Sequence, residues 1–291
     1  MSKKTLRASA AILLLIIILA LFAYYINSHP AIIAALKHIR PWLLVVLLGC
    51  YLLMLAWWMG IYNATLDLCA KPLKLKENFL LTTYSTLANF FLPLQSGPGI
   101  RAAYLKRKHK VPISSYLLSS LIYYAVYAVI SAGFLFIGSR YWWLAFPAII
   151  TAAIISLTVI KFAKKRFQKK NPKLDLNLSR KVLTRLILLT IGQVATQALI
   201  YGLELHSLGF HTSLRRVLSY TGAANFALFV ALTPGAIGFR EAFLEFSRRL
   251  HHYSTNAILS ANLIDRGVFV FFLGLLFLVT LATHAHDRLK V

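Results

Sequence analysis

Arg101 and Arg240 each follow a stretch that no continuous helix tolerates. Pro93 and the run Ser96-Gly97-Pro98-Gly99 precede the first, and Pro234-Gly235 and Gly238 precede the second. Proline removes a backbone donor and fixes φ, while glycine permits bends. A helix that starts after such a break turns free N–H groups and partial positive charge toward the gap. A guanidinium there adds a planar, bidentate fork suited to phosphate. The two arginines therefore form an anion-binding constellation, and a phosphate-bearing lipid head group is its natural ligand. The competing reading is that each arginine only snorkels to a membrane interface. It is stronger for Arg101, beside a basic cluster, than for Arg240, which lacks flanking lysines and neighbours Glu241.

Other ionisable residues stand in or beside apolar runs: Glu204, Glu241, Asp265 and Arg266. Intramembrane charges are costly and mark function by default. Neighbouring helical residues do not face each other, so Asp265 and Arg266 need different partners. Glu241 with Arg266, and Asp265 with Arg240, are the candidate pairs. They serve either as structural clamps or as protonatable carboxylates that couple movement of a substrate to protons.

These residues need elements to hold them, and composition says which kind. The chain has 291 residues, 59% of them hydrophobic and 14% charged. Soluble domains are about half apolar and about a quarter charged. The mean hydropathy is +0.69. Helices need about 20 apolar residues to cross a bilayer. Six runs meet that: 8–27, 41–63, 113–138, 141–161, 183–208 and 256–283. The runs 79–94 and 217–234 end in the two breaks, and read as re-entrant, because irregular backbone survives at membrane depth only where protein or water satisfies it. The first run follows Lys3, Lys4 and Arg7 and reads as a retained anchor.

The net charge of +24 comes from 32 basic and 8 acidic residues. The basic residues cluster between apolar runs and no groove-reading motif is present, so a nucleic-acid partner is not expected and anionic lipid head groups are. With a cytoplasmic N-terminus and both broken runs re-entrant, 23 of the 32 fall on the cytoplasmic side, as does the C-terminus. The stretch 161–185 reads as a basic cytoplasmic loop.

Gly99-Ile100-Arg101-Ala102-Ala103-Tyr104-Leu105 overlays Gly238-Phe239-Arg240-Glu241-Ala242-Phe243-Leu244. Asn89-Phe90 and Asn225-Phe226 stand upstream, which makes both asparagines candidate head-group ligands. The arrangement predicts one transmembrane domain over 1–291, built from pseudo-repeats at roughly 1–138 and 139–291. One broken helix enters from inside and the other from outside, an inverted topology. Phe239, Phe243, Phe246 and Leu250 form an apolar stripe expected at the outer interface. Cys50 and Cys69 make no disulfide framework. His251-His252 and His284 with His286 lack acidic or thiol partners, so no metal and no cofactor is expected.

The stretch Leu232-Thr233-Pro234-Gly235-Ala236-Ile237-Gly238-Phe239-Arg240-Glu241 resembles the P-G-G-x-G-x-R-E signature of the flippase-like family that includes the membrane region of lysylphosphatidylglycerol synthase. Two further features are similar to that family. One is the Pro/Gly break before Arg101 with a basic tail ending Val111-Pro112-Ile113-Ser114. The other is an arginine early in the last span, Arg266. Three positions depart from the pattern. Gly97-Pro98-Gly99-Ile100 lacks the glutamate that often precedes the first arginine, Ala236 replaces the second glycine, and Asp265 stands where a tyrosine is common.

The resemblance implies a polytopic translocase that moves polar lipids between leaflets. The soluble aminoacyl-transfer domain of those synthases has no counterpart before Val291, so synthase activity is not expected. The expectation is thus an all-α integral membrane protein with about six full spans and two broken helices. It moves a phosphate-bearing lipid, anionic or aminoacylated, in a prokaryotic cytoplasmic membrane. A homo-oligomer is left open. The alternatives are a membrane-embedded lipid-modifying enzyme and a non-catalytic scaffold or regulator.

Overall fold

The computed structural model describes residues 39–69, 72–92, 96–170, 176–230, 236 and 238–289, with four isolated positions before residue 39. The predicted first span, apart from isolated positions, and the break residues Pro93, Pro234 and Gly235 lie outside the described residues.

The described residues form helices and no strand. In chain order they are α1 Pro41–Asp67, α2 Leu75–Phe91, α3 Gly97–His109, α4 Ile113–Ile137, a 3-10 turn Trp142–Leu144, α5 Ala145–Lys170, α6 Arg180–Ser207, α7 Leu214–Val230, α8 Phe239–Phe246, α9 Arg248–His251 and α10 Thr255–Leu289. Five are long and apolar enough to cross a membrane: α1, α4, α5 with its preceding turn, α6 and α10. They coincide with the last five predicted spans. The chain is an all-helical integral membrane protein, and apolar side chains such as Phe146, Ile154 and Phe162 lie on its outer face. In lipid that face needs no cover.

One boundary differs from expectation. The stretch 161–185 is mostly helix, because α5 runs on to Lys170 and α6 begins at Arg180. Lys, Arg, Gln and Ala are good helix formers, and no glycine or proline interrupts Lys161 to Lys170. Charge marked this stretch as polar but could not end the helices.

Small residues bring the helices close, as they do where lipid supplies no hydrophobic drive between helices. α1 packs on α6 where Trp57 covers Gly192; a Cβ there would come within 2.8 Å of the indole ring. The same indole N–H donates to Thr196 Oγ1 at 3.0 Å. α4 packs on α7 at Gly222, whose Cβ would stand 2.4 Å from the Leu135 backbone nitrogen.

The two broken runs are helical hairpins. The start of α2 meets the end of α3: the Glu77 carboxylate lies 2.8 Å from Lys108 Nζ and 2.7 Å from His109 Nε2. Burial alone would raise the Glu77 carboxyl. Hydrogen bonds from Lys108, Tyr104 and His109 outweigh that and hold it down to about 2. The start of α7 likewise meets the end of α9, where the Tyr220 ring lies 5.3 Å from His251 and 5.6 Å from Tyr253. Each hairpin returns to the side it came from. The first opens on the side where Asp67 ends α1 and pairs with Arg185 of α6 at 2.9 Å. The second opens at the far end of α6, so the two enter from opposite faces of the bundle.

Candidate functional site

The first hairpin turns at Gly97. Its N–H donates to Asn89 Oδ1 at 2.7 Å, and a Cβ at this position would stand 2.4 Å from the Ser85 carbonyl. Only glycine lets α3 start this close to α2, and Asn89 then satisfies one of the N–H groups freed at the helix start. Gly99 lies inside α3 with open space beside it. The second hairpin turns at Gly238, whose φ of +81° favours glycine. Its N–H donates to Glu241 Oε2 at 2.9 Å, so Glu241 caps α8 from within.

These turns place Arg101 and Arg240 in buried positions, 6% and 8% exposed. Both line one cavity of about 270 Å³ in the middle of the bundle. Its wall is rich in phenol rings, with Tyr62, Tyr116, Tyr123, Tyr124, Tyr127 and Tyr201 all contributing. Asn78, Asn89, Gln193 and Gln197 add amides. Each arginine lies on a tyrosine, Arg101 at 3.4 Å from the Tyr62 ring centroid and Arg240 at 4.8 Å from that of Tyr201. Such stacking holds a guanidinium flat while leaving its edge available. Tyr62 to Tyr201 and Arg101 to Arg240 are separated by the same 139 residues, as are the bonded pair Trp57 and Thr196.

The two cations have different surroundings. Arg240 forms an ion pair with Asp265 of α10, and the same carboxylate accepts the Tyr51 hydroxyl. Arg240 keeps Nε and Nη2 without a protein hydrogen-bond partner. Arg101 has no carboxylate partner among the described residues, and its buried Nε also lacks an acceptor. A buried cation without a counter-charge is expensive, which makes this half of the cavity an attractive place for an anion.

Arg266 pairs with Glu241 at 2.6 Å. Both pairings expected from the sequence thus form, and adjacent Asp265 and Arg266 serve different partners. Arg266 and Asp265 line the cavity, whereas Glu241 does not. Asn225 also stands apart from it, and its amide donates to Ser131 Oγ at 3.2 Å between α7 and α4. On α8 the inward face carries Arg240 and Leu244, while Phe246 of the apolar stripe is fully outward. The side chains of His284 and His286 fall outside the described residues. Among the described residues no group of three or more His, Cys, Asp and Glu is arranged for a metal.

Sequence reasoning did not single out the tyrosines. Their signal was present, since the offset relating the arginines also relates Tyr62 to Tyr201, but tyrosines are common in membrane segments and carry no motif of their own.

No curated protein and no solved structure matches the chain. A family model does, over residues 7–277, and its description is lysylphosphatidylglycerol synthase TM region. With that match covering nearly its whole length, the chain belongs to the lysylphosphatidylglycerol synthase TM region family.

Proposed function

We propose that the protein is a lipid translocase that carries a phosphate-bearing head group between leaflets. The observation that carries this reading is Arg101, a buried cation with no carboxylate partner among the described residues, facing a cavity it shares with Arg240. A cavity of about 270 Å³ is near the small end of ligand sites. It suits a head group, with acyl chains left in the surrounding lipid. Phenol hydroxyls and amides around the cations offer hydrogen bonds to a glycerol or an aminoacyl ester. The transported lipid is accordingly an anionic or aminoacylated phospholipid.

A transporter is favoured over an enzyme by the wall chemistry. Among the described residues, the lining holds no histidine and no cysteine, and its one carboxylate, Asp265, is engaged by Arg240 and Tyr51. The shared spacing of the Tyr–Arg stacks and the opposite entry of the hairpins support an inverted repeat, the design of carriers that rock around a central site. The basic bias supports cytoplasmic termini in a prokaryotic cytoplasmic membrane.

The test is leaflet transfer of labelled phospholipids in proteoliposomes. Arg101→Gln is the informative variant. Arg240→Ala would strand a buried Asp265, and breaking a buried pair on one side costs about 3–5 kcal/mol, so lost transfer there could mean lost fold. Arg101→Gln is expected to remain folded and to lower transfer of phosphatidylglycerol or its lysyl ester at least about tenfold, the loss of one charge-assisted contact. Transfer at the wild-type rate in that variant would overturn the role of Arg101. No transfer by wild type of any anionic, zwitterionic or aminoacylated lipid would overturn the translocase.

A further inference from the structure

Glu204 lies on α6 one turn beyond Tyr201, the residue stacked under Arg240. It is 0% exposed, and neither carboxylate oxygen has a hydrogen-bond partner. The titratable and charged groups around it come from every neighbouring element. They are Cys50 and Tyr51 on α1, Tyr201 on α6, Tyr220 on α7, Arg240 on α8 and Asp265 on α10. Of the two guanidiniums in this part of the bundle, Arg240 is paired to Asp265 and Arg266 to Glu241. That leaves Glu204 as a fifth charge with no counterpart. An ionised carboxylate with no donor in an apolar interior neutralises by taking a proton.

We infer that Glu204 and Asp265 form a proton-binding site governed by Arg240, a mechanism that rests on the translocase reading only for its substrate. One negative charge stands opposite Arg240 at a time. Without the anion, Asp265 supplies it and Glu204 carries the proton. When an anionic head group takes the guanidinium, Asp265 loses its cation beside a second carboxyl group. A buried carboxylate left without its cation does not stay ionised. Asp265 then gains an O–H bond to a proton from water while Glu204 keeps its own. Release of the anion returns that proton to water as Asp265 re-pairs with Arg240. The anion therefore crosses together with one proton, and a proton gradient drives it.

The site is tested without any transported molecule. Infrared spectra of the full-length protein in phosphatidylcholine nanodiscs at pH 7 distinguish a protonated carboxyl from carboxylates. Wild type and the exposed-site control Glu245→Gln show the protonated band, and Glu204→Gln lacks it. In Asp265→Asn the band disappears, because Glu204 ionises to face Arg240. A wild type without the band, a band that survives in Glu204→Gln, or one unchanged in folded Asp265→Asn overturns the proposal. Should Asp265→Asn not fold, thermal unfolding decides with Glu204→Gln, an isostere of the protonated acid. A carboxyl that keeps its proton in the fold gives stability that is fully present at low pH and lost as pH rises. The wild-type midpoint therefore falls relative to that of Glu204→Gln between pH 5 and 8, and parallel curves overturn the site. If these readouts hold and no lipid moves, the lipid reading alone fails. If lipid moves and they do not hold, the proton site alone fails.

Discussion

His251 closes the second hairpin with both ring nitrogens engaged. Nε2 lies 3.0 Å from the Leu244 carbonyl, and Nδ1 accepts the Tyr253 N–H at 3.2 Å. Those bonds fix the neutral tautomer with the proton on Nε2. Burial holds its pKa down to about 4 against an ordinary 6.5, with the Leu244 hydrogen bond opposing the shift. The folded value lies below the unfolded one. The stabilisation is therefore complete above pH 6.5 and is lost as pH falls from there toward 4. Its full extent is about 3 kcal/mol. Thermal unfolding from pH 7 to 4.5 should show a falling midpoint in wild type and a much flatter curve in His251→Phe. Equal slopes would mean that the imidazole is not what acid attacks. At this scale the arginines and their carboxylates were legible in the sequence, because charges in apolar runs are rare. The packing of His251, the bond made by Asn225 and the capping of α8 by Glu241 were not. Histidine beside histidine without acidic or thiol partners points to no role, a repeated asparagine suggests a ligand, and only three-dimensional neighbours show a packing ring, a helix–helix bond and a cap.

Among elements, the hairpins depend on close approach at their turns. Gly97→Val puts side-chain atoms into the Ser85 carbonyl, already 2.4 Å from a built Cβ, and into Asn89 Oδ1 at 2.6 Å. Neither can yield without moving α2 away from α3, so the variant should lose about 2 kcal/mol or more of stability, typical of overpacking. It should also lose leaflet transfer, because α3 carries Arg101. Gly99→Ala meets open space and should change the unfolding midpoint little, with transfer retained. Similar effects of the two substitutions, measured as midpoints in one detergent, would refute the steric account. Glycine and proline made both breaks visible in the sequence. The length of α5 and α6 was hidden because the positive-inside signal and helix propensity act on the same lysines and arginines. Charge sets which side they face, and propensity lets the helix run through them.

For the whole molecule, the decisive quantity is the side on which each hairpin opens. The end of α3 carries Lys106, Arg107 and Lys108, and α9 carries Arg248 and Arg249. The bundle places these two ends at opposite faces, since three full-length spans, α4, α5 and α6, separate the hairpins. The proposed orientation puts position 107 on the cytoplasmic side and position 249 outside. Cys50 is buried and Cys69 partly so, and both can be replaced by serine to give a cysteine-free background. Single cysteines at Arg107 and Arg249 in intact cells should differ. Only Arg249→Cys should react with a membrane-impermeant maleimide, and Arg107→Cys should react after permeabilisation. If both react from the same side, one of the two hairpins spans the membrane, the repeat is not inverted, and the cavity cannot alternate between leaflets by rocking. If the sides are opposite but reversed, the inverted design stands. The positive charge would then have failed to set orientation, which a Lys/Arg bias in short loops rarely does.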